Sequence, residues 1–153
     1  MTPQRDDAPR QVAAVCYRRT SQGPIFLLVK TYDGKWTFPK GQIDFDATEV
    51  EAAENEALEE AGVTGAIEPE PFTAYRYVKG NGKNSNGPEI AVNAFLLAVR
   101  ETRPPMEDWR DPEWFDPQEA KHALAEGRSE RYAAELARVV DLAVARLLQS
   151  AGS

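Results

Sequence analysis

Between Gly41 and Val63 the chain runs from a glycine-led loop straight into a helix and stops at a second glycine. The segment reads GQIDFDATEVEAAENEALEEAGV. No other stretch restricts the fold so strongly. Asp46 is expected to cap the helix, with Glu49 reaching back as in a capping box. Gly62 suits the left-handed turn that ends it. Val50, Ala53, Ala57 and Ala61 share a face of small side chains, which lets the helix lie close against a sheet. At about 100° per residue, Glu56, Glu59 and Glu60 fall in one sector of roughly 100°. Three clustered carboxylates repel one another, and a hard divalent cation that prefers oxygen ligands relieves that repulsion. A glutamate-rich helix can equally be a solvated face; the upstream glycine loop favours a site.

The remaining pattern is that of one domain. A chain of 153 residues is of single-domain size. A mobile N-terminus over 1–10 and a single domain over 11–150 are expected. Val12 to Tyr17 and Ile25 to Lys30 read as an antiparallel hairpin, and Asp33-Gly34 as a turn before Trp36 to Phe38. Two longer strands, Phe72 to Val78 and Glu89 to Arg100, flank a glycine-rich loop from Lys79 to Pro88. A short Trp114-Phe115 strand precedes a helix with Pro117 in its first turn, running to about Glu126. The last helix spans about Ser129 to Ser150. Tyr132, Leu136, Val139, Val140, Val144 and Leu147 give it an apolar stripe. This order of elements suggests a mixed sheet between helices, an α/β fold.

Charge and composition exclude some functions. The net charge of −7 argues against a general nucleic-acid binder. It leaves room for a polyanionic substrate, because a metal and a few lysines can reverse the local field. The single Cys16 lies in an apolar run and reads as a small buried residue. No apolar stretch approaches the length of a membrane span. Met1 to Arg10 lacks the core of a signal peptide, so a cytoplasmic location is expected. His122 sits on a polar helix and reads as a surface residue.

The segment from Gly41 resembles the Nudix box, G-x5-E-x7-R-E-U-x-E-E-x-G-U with U aliphatic. Gly41, Glu56, Glu59, Glu60, Gly62 and Val63 match in register, and Phe38-Pro39-Lys40-Gly41 is similar to the family's lead-in. Ala47 stands where the family has glutamate, and Asn55 where it has arginine. Glu107-Asp108-Trp109, Glu113-Trp114-Phe115, Glu119-Ala120 and Glu130-Arg131-Tyr132-Ala133 are similar to diphosphoinositol polyphosphate and diadenosine polyphosphate hydrolases within the family.

The resemblance implies an α/β/α sandwich and metal-dependent hydrolysis of a phosphoanhydride. The substrate would be a nucleoside diphosphate-linked compound or a related polyphosphate. It implies Mg²⁺, or Mn²⁺, held by Glu56, Glu59, Glu60 and the Gly41 carbonyl, with one of the glutamates orienting the attacking water. Lys40 is placed to meet a phosphate oxygen. Arg18, Arg19, Lys30, Arg76, Lys79 and Lys83 are candidates for a basic rim, and Tyr75, Tyr77 and Trp109 for stacking on a base; ordinary surface or core roles compete for each. Glu107, Asp108 and Glu113 lie where some family members supply a further acid. In the family the box arginine bridges to the early glutamate and helps to orient the cluster. Both partners are missing here, and Glu51, between Ala47 and Asn55, is a partial substitute. Weakened hydrolysis is one reading, and a silent module that binds such a ligand is another. An interaction domain built on an exposed stripe of the last helix is a third. A monomer or a homodimer is compatible with the pattern.

Overall fold

The computed structural model describes residues 10–78 and 88–151. Residues 1–9 of the segment 1–10 that was expected to be mobile, and most of the glycine-rich loop, with Lys79 and Lys83, lie outside the described residues. Arg10 already belongs to the first strand.

β1 (Arg10–Thr20) and β2 (Gly23–Lys30) form the expected antiparallel hairpin. Its link is shorter than the sequence suggests, because Arg18 to Thr20 pair with Gly23 to Ile25. β3 (Trp36–Thr37) pairs with the end of β2, and β4 (Lys40–Gln42) pairs with the start of β1. β6 (Thr73–Val78) and β7 (Glu89–Thr102) are the two longer strands, antiparallel to each other. β7 runs parallel to β1 over eight residue pairs, which makes the sheet mixed. β8 (Glu113–Phe115) adds to the outer side of β2. One strand was not anticipated. β5 (Val63–Ile67) follows Gly62 directly and pairs with the far end of β7. Its sequence, VTGAI, is short and holds a glycine, so it carries little strand signal. Gly65 sits where a side chain would overlap the Ala98 carbonyl.

Alternation along the strands divides the core in two. Val12, Ala14, Cys16, Leu27, Val29, Phe95 and Leu97 face α1 (Glu49–Glu56) and the turn that continues it. Ala13, Val15, Phe26, Leu28, Val92, Ala94 and Leu96 face α2 (Pro117–Ala125) and α3 (Glu130–Ala151). The result is an α/β/α sandwich. The apolar stripe of α3 is buried: Leu136, Val139, Val140 and Leu147 are within the core. The stripe is therefore a packing surface and not the exposed face that the interaction-domain reading requires. Cys16 is buried, as expected, and His122 is exposed. No described helix is long and apolar enough to cross a membrane.

The first helix departs from expectation at both ends. Thr48, not Asp46, is its N-cap: the Thr48 hydroxyl accepts the Glu51 N–H, and Glu51 returns a bond to the Thr48 N–H. Glu51 thus replaces Glu49 in the capping box. Glu49 is instead turned toward β7, where Asn93 donates to it at 2.8 Å. The two candidate boxes overlap by two residues, and that tertiary contact selects between them. At the other end the α-helix stops at Glu56, and Ala57–Ala61 form one π turn. Gly62 then adopts φ 72°, and an added Cβ there would overlap the Arg103 carbonyl.

Thr48→Ala is expected to destabilise the chain by about 1 kcal/mol, whereas Asp46→Ala is expected to be close to neutral. Urea unfolding of the two variants checks this; the reverse order would restore the cap suggested by sequence.

Candidate functional site

The site begins at the pairing of β4 with β1. Val12 opposes Gly41 and Ala13 opposes Lys40. Paired residues share a face of the sheet, so Gly41 turns to α1 and the Lys40 side chain turns to the α2–α3 side. Gly41 is necessary there. A Cβ at this position would overlap the carboxyl group of Glu56, which lies directly over the strand. The π turn then carries Glu60 to the same place, while Ala57 and Ala61 stay against the sheet. Such widened turns recur at functional sites.

Glu60 is one of the few polar side chains buried in the described structure, 7% exposed. One of its oxygens accepts the backbone N–H of Lys40 at 3.2 Å, and the other accepts Arg110 Nη2 at 3.0 Å. Glu56 and Glu60 are hydrogen-bonded to each other. Burial, then that bond and the charges of Glu60 and Glu59, push the Glu56 carboxyl up to about 8. Burial also raises Glu60, but Arg110, the bond from Glu56 and the Lys40 N–H all oppose the rise. The pair therefore holds a proton at neutral pH, and Glu56 carries it. Two carboxyl groups sharing a proton in a half-buried seam have the donor chemistry of a hard-cation site.

Glu59 is placed differently. It is exposed, and its backbone carbonyl accepts the Met106 N–H at 3.1 Å. Its charge still reaches Glu56. Among the described residues, no three His, Cys, Asp or Glu side chains converge on one point as they stand. The Glu56–Glu60 pair is what the structure brings together out of the expected three. Two carboxylates nonetheless suit an ion such as Mg²⁺, which keeps several waters and completes its shell with substrate phosphates.

Among the described residues, the expected basic rim is dispersed. Lys40 contributes its main chain to the pair, but its ammonium lies 3.3 Å from the Tyr77 hydroxyl on the other face. Tyr77 in turn donates to Gln11 and stacks on Tyr132 at 5.9 Å. Arg18 lies over the Trp114 ring. It is five residues along β1 from Ala13, roughly 17 Å away. Arg19 is engaged with the end of α3. Arg76, on β6, pairs with Glu89 of β7 and lies three strand spacings or roughly 14 Å from β4. Lys30 lies over Trp36. Tyr75 is a core residue whose hydroxyl has no hydrogen-bond partner. Trp109 is 40% exposed and meets Tyr32 edge to face at 5.1 Å. Asp108 and Glu113 are exposed, and Glu107 is held by Arg110 at 2.8 Å. Asn55 and Glu51 point to solvent, and Glu51 is occupied in the cap, so it does not replace the missing bridge.

Arg110 escaped the sequence reading. It belongs to a 3-10 turn, Asp108–Arg110, in the loop between β7 and β8. Only its spacing of three from Glu107 hinted at a local ion pair. Nothing in the sequence connects it to Glu60, fifty positions earlier.

A family model for the NUDIX domain matches residues 9–136. An Ap4A hydrolase of C. elegans, in a binary complex, superposes with a TM-score of 0.70 at 20% identity, over 92% of this chain and 98% of that one. The NUDIX domain of Shewanella oneidensis NrtR, complexed with ADP ribose, gives 0.66 at 19% identity over 93% and 90%. A NUDIX hydrolase from Nitrosomonas europaea gives 0.62 at 23% identity over 81% and 82%. At these identities the likeness is one of fold.

The carboxyl pair sets a pH dependence in the metal-free protein. Folded Glu56 keeps its proton until about pH 8, whereas its ordinary value is 4.5. Between those values the folded state binds more protons, so stability is full below the lower value and falls as pH rises through the upper one. Glu56→Gln removes this term. In chelator, its thermal midpoint is expected to exceed that of the wild type by a few degrees at pH 9, with a smaller gain at pH 5. An equal gain at both pH values would contradict the shared proton.

Proposed function

Since the chain belongs to the NUDIX family, we propose that it is a divalent-metal-dependent hydrolase of a phosphoanhydride in a nucleoside diphosphate-linked or related polyphosphate compound. The observation that carries this reading is the Glu56–Glu60 carboxyl pair, with Glu56 packed on the Cβ-less surface of Gly41 and Glu60 buried beside it. Two carboxyl groups this close repel when both are ionised, and a bound cation removes that repulsion. Glu56 and Glu60 would hold the ion, with Glu59 beside them at the exposed edge and the Gly41 backbone below. Once bound, Mg²⁺ or Mn²⁺ would supply charge neutralisation for the phosphate chain and the attacking water.

The protein's own groups define the rest. The Lys40 N–H and Arg110 fix Glu60 from two sides. Lys40, Tyr77 and Tyr132 form a polar aromatic patch on the neighbouring face, suited to the phosphate and to the group attached to it. Water adds to phosphorus, the bridging P–O bond breaks, the leaving phosphate takes the electron pair, and a proton is lost to solvent or to a free carboxylate of the cluster. Two fold relatives, the C. elegans Ap4A hydrolase and the NrtR domain complexed with ADP ribose, support a nucleotide-containing substrate and a small-molecule partner.

The absence of glutamate at 47 and arginine at 55 favours a second reading, in which the same ligand is bound and not cleaved. A panel of diadenosine tetraphosphate, ADP-ribose and a diphosphoinositol phosphate, assayed with Mg²⁺ and with Mn²⁺, separates the two. Metal-dependent product release from one of them is expected, with a loss of about 100-fold or more in Glu60→Gln. Activity that survives Glu60→Gln would contradict the assigned site. Ligand binding without product would select the second reading.

A further inference from the structure

We infer that Arg110 is a positioning residue that supplies, from the loop before β8, the guanidinium the helix lacks at Asn55. The inference rests on the proposed metal reading and deepens it. Asn55 is exposed, Ala47 has no carboxylate, and Glu51 is committed to the helix cap. Nothing on the helix itself therefore orients the acidic pair.

Arg110 is built for that task. Its side chain is only 15% exposed. All three of its nitrogens are engaged: Nε donates to Glu107 at 2.8 Å, Nη1 to the Lys30 carbonyl at 3.0 Å, and Nη2 to Glu60 at 3.0 Å. The face of the guanidinium lies 4.1 Å from the Trp109 ring centroid. A planar fork with fixed donors holds direction in a way that a flexible ammonium cannot.

The loop that bears it is tied to the end of the same acidic helix. Arg103 N–H donates to the Gly62 carbonyl at 2.7 Å, and Met106 N–H to the Glu59 carbonyl at 3.1 Å. Glutamate has three side-chain torsions, and the Arg110 and Lys40 bonds together restrain the carboxylate, one at each oxygen. Each Glu60 oxygen accepts one bond from these two donors and has a lone pair left for another. Arg110 therefore fixes the group without exhausting its capacity as a ligand. The support lost with the box arginine is restored from a segment remote in sequence.

Manganese titration by calorimetry, with folding checked by circular dichroism, tests this independently of turnover. Arg110→Ala is expected to bind Mn²⁺ about 10-fold or more weakly than the wild type. Glu107→Ala, which leaves Arg110 on Glu60, is expected to stay within about threefold. Arg110→Lys keeps the charge and loses the fork, so its affinity is expected to fall between those of the wild type and Arg110→Ala; it carries the test if Arg110→Ala does not fold. Adding Ala47→Glu and Asn55→Arg to Arg110→Ala is expected to recover affinity, which a residue that merely staples the loop would not allow. Manganese binding by Arg110→Ala or Arg110→Lys that equals or exceeds the wild type overturns the inference, as does failure of the rescue. Absence of binding by the wild type itself contradicts the metal reading, and the inference falls with it.

Discussion

A carboxyl group resting on a glycine holds this site together. Because Gly41 has no Cβ, Glu56 can lie flat against β4, and only then does the next turn bring Glu60 into contact with it. Several other features serve the same juxtaposition. Ala53, Ala57 and Ala61 let the helix approach the sheet, the π turn keeps both glutamates on the β4 side, and Gly62 sends the chain directly into β5. Each of these features has a local cost, in side-chain volume, in regular helix geometry or in backbone freedom. Together they hold two acids close enough to share a proton.

Much of this was legible in the sequence, for identifiable reasons. The hairpin, the two longer strands and the three helices follow from alternation, apolar periodicity and turn residues, which act over short distances. The Gly41 to Val63 segment is a long, position-specific pattern, and the family it resembles is the family to which the chain belongs. The failures share a different origin. Thr48 displaced Asp46 as cap because Glu49 is drawn to Asn93 on β7, a contact no local pattern reveals. β5 was missed because its strand character comes from pairing with β7 and not from its residues. Arg110 was missed because its bond to Glu60 joins positions fifty residues apart. The described members of the expected basic rim lie apart for the converse reason: positive residues that look alike in sequence have separate aromatic and acidic partners in the fold.

Lys40 illustrates how finely register divides roles. Its N–H serves the carboxyl pair on one face of the sheet, and its ammonium meets Tyr77 on the other. One residue thus joins the acidic seam to the patch formed by Tyr77, Tyr132 and Arg128. The loop before β8 completes the arrangement from outside, with Trp109 seating Arg110 and Arg110 reaching Glu60.

The central claim is that Glu56 and Glu60 form a cation site. Anomalous diffraction from crystals soaked in manganese addresses it most directly. The account predicts a peak in direct contact with carboxyl oxygens of both residues. A peak bound only elsewhere, or none at a manganese concentration that saturates turnover, would contradict it.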